Sequence, residues 1–194
     1  MKHTIRIRHM NLTDVAIVST IHVRVLPTTI ARIGNQYLSW IYTELLRDPS
    51  LHVALIAYSG STILGVITAT VDLHRTQHQL QKILIRPGII WNVGRALLHH
   101  HITIPEIVER MSTERQILAQ FPAPYATILT FFVDTPHQHQ GIGKRLLSAL
   151  RKLLPRRTKL FVDTRVSNKK AQNWYRTHGF HILKTIGQST IFSQ

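Results

Sequence analysis

Strand-like and helix-like patterns alternate most clearly in the last third of the chain. Residues 125–133 are rich in β-branched and aromatic side chains, which favour a buried strand. After a polar turn, apolar residues recur at spacings of three and four from 142 to 154, with lysines and arginines between them. This period predicts an amphipathic helix that Pro155 ends, followed by a strand over 159–164.

The chain after that strand predicts one more helix and a closing pair of strands. Asn168 is a good N-cap residue, and Gly179 suits the position just past a helix C-terminus. Trp174 and Tyr175 lie on the apolar face between them. Two short runs on either side of Gly187 then indicate paired strands.

The first part of the chain predicts a strand, two helices and a hairpin. The patterns place a strand at 4–9, a helix from Asn11 or Thr13 to Pro27, a helix from Thr28 or Thr29 to about Arg47, and strands at 51–58 and 62–73. Ser59, Gly60 and Ser61 supply the turn of the hairpin.

The segment from about 74 to 124 predicts two or three short amphipathic helices. Apolar runs are interrupted at Pro87-Gly88 and at Pro105, and a structureless loop of this length would be unusual in a compact domain. The segment contains three adjacent histidines, 99–101. Neighbouring residues on a helix point about 100° apart, so these side chains are poorly arranged for one metal ion. We therefore expect no metal site.

Positive charge is concentrated in the last third of the chain. The formal net charge is +15, and the stretch 144–184 holds twelve lysines and arginines against the single acid Asp163, which leaves +11. A basic surface captures polyanions, either a phosphorylated small molecule or a nucleic acid. A solvated basic face is the alternative explanation.

Cysteine usage and hydropathy restrict the location. The chain has no cysteine, which excludes disulfides and thiolate zinc sites and fits a reducing compartment. The first eight residues lack the apolar run of a signal peptide, and no stretch reaches the roughly 20 apolar residues that cross a bilayer. We expect a cytoplasmic protein without a transmembrane segment.

Two glycines mark the start of the helix after the strand at 125–133. Gly141 and Gly143 lack a Cβ that would keep a ligand away, so the amides of the first helical turn can converge on an anion. The helix dipole favours phosphate at this end. A tight turn without a ligand is the alternative explanation of a lone Gly-x-Gly.

Two motifs in this region resemble those of the GNAT superfamily of N-acetyltransferases. Gln138-x-x-Gly141-x-Gly143 matches the superfamily's pyrophosphate-binding turn, Arg/Gln-x-x-Gly-x-Gly/Ala. The block 168–180 is similar to its Asn-x-x-Ala-x-x-x-Tyr-x-x-x-Gly-Phe pattern. The resemblance implies a single α/β (α+β) domain over 1–194. Its mixed sheet of about seven strands would be splayed between strands four and five and flanked by helices, and a helical insertion at about 74–124 would separate strands three and four.

The resemblance also implies roles for individual residues. The backbone of Val133 would contact the pantetheine arm of acetyl-CoA, and Asn168 would bond that arm or the splayed strand as well as cap its helix. Tyr175 would donate a proton to the departing thiolate; a plain packing role is the alternative. The pyrophosphate would be received by the backbone amides of Gln138, Gly141, Ile142, Gly143 and Lys144.

The sequence alone does not identify the general base. The strand at 125–133 has no carboxylate and offers only Thr127 and Thr130 as polar side chains beyond Tyr125, which could border the acceptor. A water chain could also serve. The side-chain candidates are Asp72, Asp134, Asp163, Glu106, Glu109, Glu114 and the histidines.

The function that follows is acetyl-CoA-dependent N-acetylation of a primary amine on a small acceptor. Residues 33–42 and the insertion resemble a GNAT branch that acts in polysaccharide and surface-sugar biosynthesis, which favours an amino sugar or a nucleotide sugar. The alternatives are a protein or peptide N-acetyltransferase, and a basic module that binds nucleic acid or an anionic membrane surface. The expected partners are acetyl-CoA and the amine, and a homodimer is compatible with this interpretation.

Overall fold

Seven strands form one mixed sheet in the computed structural model, which describes residues 4–26, 28–84, 98 and 125–194. Their order across the sheet is β1-β2-β3-β4-β5-β7-β6. The strands are β1 Arg6–His9, β2 His52–Ser59, β3 Thr62–Thr70, β4 Tyr125–Val133, β5 Lys159–Arg165, β6 His181–Ile186 and β7 Ser189–Ser193. Neighbours are antiparallel except for β4 and β5, which run parallel. The predicted fold class is confirmed.

Helices cover both faces of this sheet. The helices of the described residues are α1 Val15–Val25, α2 Thr29–Ile33, α3 Asn35–Arg47, α4 Leu73–Leu84, α5 Ile142–Leu153 and α6 Lys169–Thr177. Short 3₁₀ turns precede α1 at Leu12–Asp14 and follow β4 at Thr135–His137. α5 and α6 pack on one face, and α1, α2 and α3 pack on the other.

The predicted second helix is two helices. The chain breaks at Gly34, whose φ of +124° and ψ of 167° lie in a region that is essentially restricted to glycine. Thr28 caps the first of the two, its Oγ1 accepting from the amide of Ala31 at 3.2 Å. The apolar period continues through the break, so the pattern of side chains alone could not reveal it.

The sequence predicts an insertion at about 74–124, and the first part of it, which the structure describes, is a helix. β3 ends at Thr70 rather than at residue 73, and Leu73 already begins α4. α4 packs its buried Ile83 against Tyr37 of α3. The further helices predicted up to residue 124 lie outside the described residues. The assignment of 1–194 to a single domain stays a prediction.

Among the described residues, apolar packing forms one large core on each face of the sheet and two smaller clusters. Under α5, the buried residues Leu146 and Leu150 pack with Ile67 and Ala126 of the sheet. The second core joins α1 and α3 to the opposite face. Among the described residues, no helix combines the length and the hydropathy that crossing a membrane requires.

The second core contains a buried polar pair, His22 of α1 and Tyr42 of α3. The Nδ1 atom of His22 lies 2.7 Å from the Tyr42 hydroxyl oxygen. Both residues are almost fully buried. Burial lowers the pKa of His22 to about 4 and raises the pKa of Tyr42, since a charge would be desolvated there. Both side chains are therefore neutral at pH 7.

His22 should make the fold sensitive to acid. Its pKa is lower in the folded state than the ordinary 6.5, so its contribution is complete above pH 6.5 and is lost as the pH falls to 4. We expect the free energy of unfolding of the wild-type protein to fall over this range by about 2 to 3 kcal/mol more than that of His22→Gln. Urea unfolding at several pH values measures this, with His74→Gln on the exposed side of α4 as the control. Parallel pH profiles for wild type and His22→Gln would contradict the assignment.

Candidate functional site

The two central parallel strands separate part of the way along their length. β4 and β5 are paired from Tyr125↔Lys159 to Ile128↔Val162. Beyond Ile128, β4 continues to Val133 paired with β3 and β5 continues to Arg165 paired with β7, and no strand of the described residues lies between them. The sheet therefore has an opening between β4 and β5, as the GNAT resemblance implied.

The unpaired edge of β4 faces this opening. The amide of Asp134 donates to the carbonyl of Leu64 at 2.8 Å, which makes them a hydrogen-bonded pair of the antiparallel β3–β4 ladder. Such pairs alternate, so the neighbouring Gly65↔Val133 pair is not hydrogen-bonded across the ladder. The backbone groups of Val133, and by the same alternation those of Phe131, point towards the opening. They can bond an extended ligand there.

The start of α5 lies just past the end of β4. Gly141 is the N-cap residue, with φ of +73°, and no side chain caps the helix. Within the described part of the chain, the amides of the first turn, from Ile142 to Lys144, therefore have neither an intrahelical nor a side-chain partner. A Cβ built on Gly141 would have no atom within 4 Å, so its outer side is open. An anion fits this cradle.

Gln138 connects the open edge of β4 to α6. Its Nε2 donates to the carbonyl of Val133 at 3.1 Å, and its Oε1 accepts from Nζ of Lys170 at 2.8 Å. The backbone amide of Gln138 donates to the carbonyl of Thr135 at 3.3 Å. The side chain is thus the part of Gln138 that lies at the opening. Lys170 could not be recognised as a site residue from the sequence, because a lysine on a polar helical turn is common and carries no signal by itself.

Gly143 has a packing role as well as its place in the first turn of α5. A Cβ there would lie 3.2 Å from Cζ2 of Trp174 and 3.4 Å from Cζ of Phe131. These two rings contact each other edge to face, with centroids 5.0 Å apart. The indole of Trp174 also stacks on His178 at 3.9 Å. The second glycine of the motif lets α5 approach this aromatic group closely.

Tyr175 lies beneath the opening on the α6 side. Its ring packs between Phe131 of β4 and Phe192 of β7, with centroids 6.4 and 5.6 Å away, and against Phe180 at 5.4 Å. Burial and then the charge of Asp163 on β5 raise the pKa of its phenol. Tyr175 stays protonated, as a proton donor must.

Asn168 caps α6 as predicted. Its Oδ1 accepts from the amide of Ala171 at 3.1 Å. Lys169 and Lys170 occupy the first turn of the helix, where the dipole disfavours cations. The contact with Gln138 holds the charge of Lys170 beside the segment that joins β4 to α5.

The described carboxylates among the base candidates have other partners. Asp134 accepts from Nη2 of Arg24 at 2.8 and 2.9 Å and from the amide of Thr135 at 2.9 Å. Asp72 accepts from the amide of Arg75 at 2.9 Å. The candidates Glu106, Glu109 and Glu114 and the histidine run 99–101 lie outside the described residues. Within the ranges that are described, no group of three or more potential ligands is arranged for a metal ion.

Comparison with known proteins agrees with this geometry. Residues 107–180 match the sequence profile of the Acetyltransferase (GNAT) family. No curated protein sequence matches the chain. Many solved structures do, among them PaiA N-acetyltransferase from Thermoplasma acidophilum in complex with coenzyme A, with a TM-score of 0.61 and 17% identity over 98% of both chains.

Two further solved structures are similar to this chain. An acetyltransferase from Thermus thermophilus has a TM-score of 0.63 and 16% identity, covering 100% of this chain and 99% of its own. Arabidopsis thaliana NAA60 in complex with acetyl-CoA has a TM-score of 0.60 and 17% identity over 98% of both chains. The fold is that of the acetyltransferases. The profile match over residues 107–180 and the two motifs agree with the GNAT resemblance.

The Arg24–Asp134 pair should stabilise the end of β4 beside the site. The Asp134 side chain is 8% exposed, whereas that of Glu44, which pairs with Arg47 on α3, is 21% exposed. Both arginines are more than half exposed, so Arg47→Ala is a matched control for Arg24→Ala. We expect Arg24→Ala to lower the free energy of unfolding by about 1 to 2 kcal/mol and Arg47→Ala by at most about 0.5 kcal/mol. If urea unfolding shows that Arg24→Ala and Arg47→Ala lower the free energy of unfolding equally, the Arg24–Asp134 pair has no special structural role.

Proposed function

We propose that the protein is an acetyl-CoA-dependent N-acetyltransferase that transfers an acetyl group directly to a primary amine. The observation that carries this proposal is the opening between β4 and β5, because it brings together an uncapped helix start and a buried phenol. Neither feature is needed for a stable sheet. Together they fit the two ends of an acyl-CoA.

The donor would bind along the open edge of β4. The amides of Gly141, Ile142, Gly143 and Lys144 would receive the pyrophosphate, and the backbone of Val133 would bond an amide of the pantetheine arm. The Gln138 side chain now bonds the Val133 carbonyl and would have to move aside. Lys170 would then be available to the phosphates, in a region with a balance of +11.

The acetyl group would be transferred at the end of the opening that lies next to Tyr175. The nitrogen of a neutral amine attacks the thioester carbonyl carbon, a C–N bond forms, and the C–S bond breaks. Tyr175, which burial keeps protonated, donates a proton to the departing thiolate. The amine loses its own proton to a base or to water.

The acceptor is a small amine on this proposal, with an amino sugar or a nucleotide sugar as the first choice. A basic chain is poorly suited to hold a polycation such as a polyamine. A protein N-terminus or a lysine is the alternative acceptor, supported by the similar fold of Arabidopsis thaliana Naa50, whose structure contains the bisubstrate analogue CoA-Ac-MVNAL. A mixed panel of sugars and peptides distinguishes the two: acetylation of peptides alone would overturn the small-amine choice. Cytoplasmic location and a homodimer stay predictions.

A binding module for nucleic acid or an anionic membrane is the remaining alternative, motivated by the basic region. Its binding would have to weaken steeply with salt, since phosphate contacts release counterions. The specific arrangement at Gly141 and Tyr175 favours the enzyme.

Gly141→Ala tests the phosphate cradle, with Gly60→Ala as its matched control. Both glycines have positive φ, +73° and +59°, and neither would place a Cβ within 4 Å of another atom. Both variants should therefore lose a similar stability of about 1 to 2 kcal/mol. Gly141→Ala alone should weaken coenzyme A binding, by about tenfold in calorimetry, because its Cβ lies where the phosphates approach.

Two outcomes of this experiment count against the proposal. If wild-type protein binds neither coenzyme A nor acetyl-CoA at high ligand concentration, the proposed function is wrong. If both glycine variants bind coenzyme A as the wild-type protein does, the pyrophosphate is not held at the start of α5.

Tyr175→Phe tests the proton donor. The substitution keeps the ring between Phe131 and Phe192, so the affinity for coenzyme A should be unchanged. We expect kcat for the amine that reacts best in an acceptor panel to fall by about 10² to 10⁴-fold, measured by released coenzyme A thiol. Tyr58→Phe, on β2, is the control and should leave kcat unaltered. An unchanged kcat in Tyr175→Phe would reduce Tyr175 to a packing residue.

A further inference from the structure

The face of β4 that is turned towards α1 and α3 carries polar groups that the donor site does not use. Thr130, Phe132 and Asp134 are two residues apart along β4, and their side chains share this face. Tyr42 of α3 hydrogen-bonds the Thr130 side chain, the ring of His22 on α1 lies 5.5 Å from that of Phe132, and Arg24 pairs with Asp134. The row thus follows the part of β4 that has separated from β5.

A β-bulge turns the Thr130 side chain to this face. The β3–β4 register runs Thr68↔Thr130 and then Ala69↔Ile128, which leaves Leu129 as the extra residue. Ile128 packs in the core under α5, whereas Leu129 packs on the opposite side. In a regular strand Thr130 would share the face of Ile128. Bulges redirect side chains in this way, often beside active sites.

The hydrogen bonds behind Thr130 have a preferred direction. Nδ1 of His22 lies 2.7 Å from the Tyr42 hydroxyl oxygen, and Nε2 is buried without a partner among the described residues. A buried N–H without a partner is rarer and costlier than a buried lone pair. The proton of the neutral imidazole therefore belongs on Nδ1, which donates to Tyr42.

This tautomer determines what Thr130 can do. Because the Tyr42 oxygen accepts from His22, its own O–H is available to donate to Oγ1 of Thr130. The Thr130 O–H must then find a further acceptor. Successive hydrogen bonds polarise one another, so the last donor in the chain is strengthened. Thr130 is half-buried and adjoins Phe131, whose backbone faces the opening between β4 and β5.

We propose that the Thr130 hydroxyl donates a hydrogen bond to the carbonyl oxygen of the acetyl group held at this opening, with Tyr42 and His22 as positioning residues. The inference rests on the proposed function. Negative charge collects on that oxygen when an amine attacks, and a preorganised donor stabilises it. In the sequence, Thr130 stands out only as a polar residue of a strand without carboxylates. The bulge and the hydrogen-bonded chain now give it a role.

The test compares the affinities of acetyl-CoA and coenzyme A, so it needs no knowledge of the acceptor. A neutral hydrogen bond to the thioester oxygen should make Thr130→Val lose about three- to tenfold of the acetyl-CoA affinity relative to coenzyme A, in calorimetry. Thr130→Ser keeps the hydroxyl and should retain the wild-type ratio. Tyr42→Phe keeps Thr130 but removes its orientation, so the ratio should fall partway.

Thr68→Val is the matched control. Thr68 lies directly opposite Thr130 on β3, and its buried hydroxyl has no partner within the described residues. Directly opposed residues share a face, so the two valine substitutions change the same surface by the same atoms. Thr68→Val should leave the affinity ratio unchanged.

A spectroscopic signature separates a contact from a packing effect. With acetyl-CoA labelled with ¹³C at the carbonyl, isotope-edited infrared spectra report the strength of the hydrogen bond to that oxygen. The bound carbonyl stretch should move to higher frequency in Thr130→Val than in the wild type, and should not move in Thr68→Val. If Thr130→Val does not fold, Tyr42→Phe makes the same comparison, with a smaller shift expected in the same direction.

The outcomes distinguish this inference from the proposed function. Failure of the wild-type protein to bind either ligand would overturn both. Binding of both ligands, with an affinity ratio and a carbonyl frequency that Thr130→Val does not change, would overturn the role of Thr130 alone. Equal effects of Thr68→Val and Thr130→Val would overturn it as well.

Discussion

Strand β4 can separate from β5 because its other edge and both of its faces hold it in place. β3 pairs with it along the separated part, and Gly65 allows a close approach: a Cβ there would lie only 2.9 Å from the carbonyl oxygen of Phe132. On one face the rings of Trp174 and Tyr175 pack against Phe131. On the other face Asp134 is paired with Arg24. β4 is therefore held along its β3 edge and on both faces, and its edge towards the opening keeps backbone groups that can bond a ligand.

The two faces of the sheet supply different chemistry to this edge. The α5 and α6 side carries the uncapped amides after Gly141, and Lys170 contacts Gln138, three residues before that glycine. The α1 and α3 side carries His22, Tyr42 and Thr130, which are neutral and in part deeply buried. Charge is thus placed where an anion would arrive. The neutral groups lie in the buried core under α1 and α3, where a formal charge would be costly.

The first turn of α6 shows how a local conflict can indicate a site. Two lysines follow the cap residue Asn168, although the helix dipole disfavours cations at this end. Lys170 extends to the Oε1 atom of Gln138 instead of into solvent. A helix designed for stability alone would carry acids in this turn. The placement is explained if the charges serve an anion bound at the start of α5.

The sequence by itself determined the elements around the site. The strand at 125–133, the helix after Gly141, the cap at Asn168 and the closing strand pair depend on local periodicity and on residues with strong backbone preferences, so short stretches of chain sufficed to predict them. The motif residues Gln138, Gly141, Gly143 and Tyr175 were found by their spacing. The break at Gly34 was missed, because the apolar period continues through it.

Only the tertiary structure decided which groups meet. The contact of Lys170 with Gln138 joins residues 32 positions apart, and the bond between His22 and Tyr42 joins two helices. The face occupied by Thr130 depends on a bulge that appears only when β4 is aligned with β3. Periodicity describes one element at a time, whereas register and side-chain contacts arise when elements pack together. For that reason the sequence could name the parts of the site, and the packed chain was needed to show how they face one another.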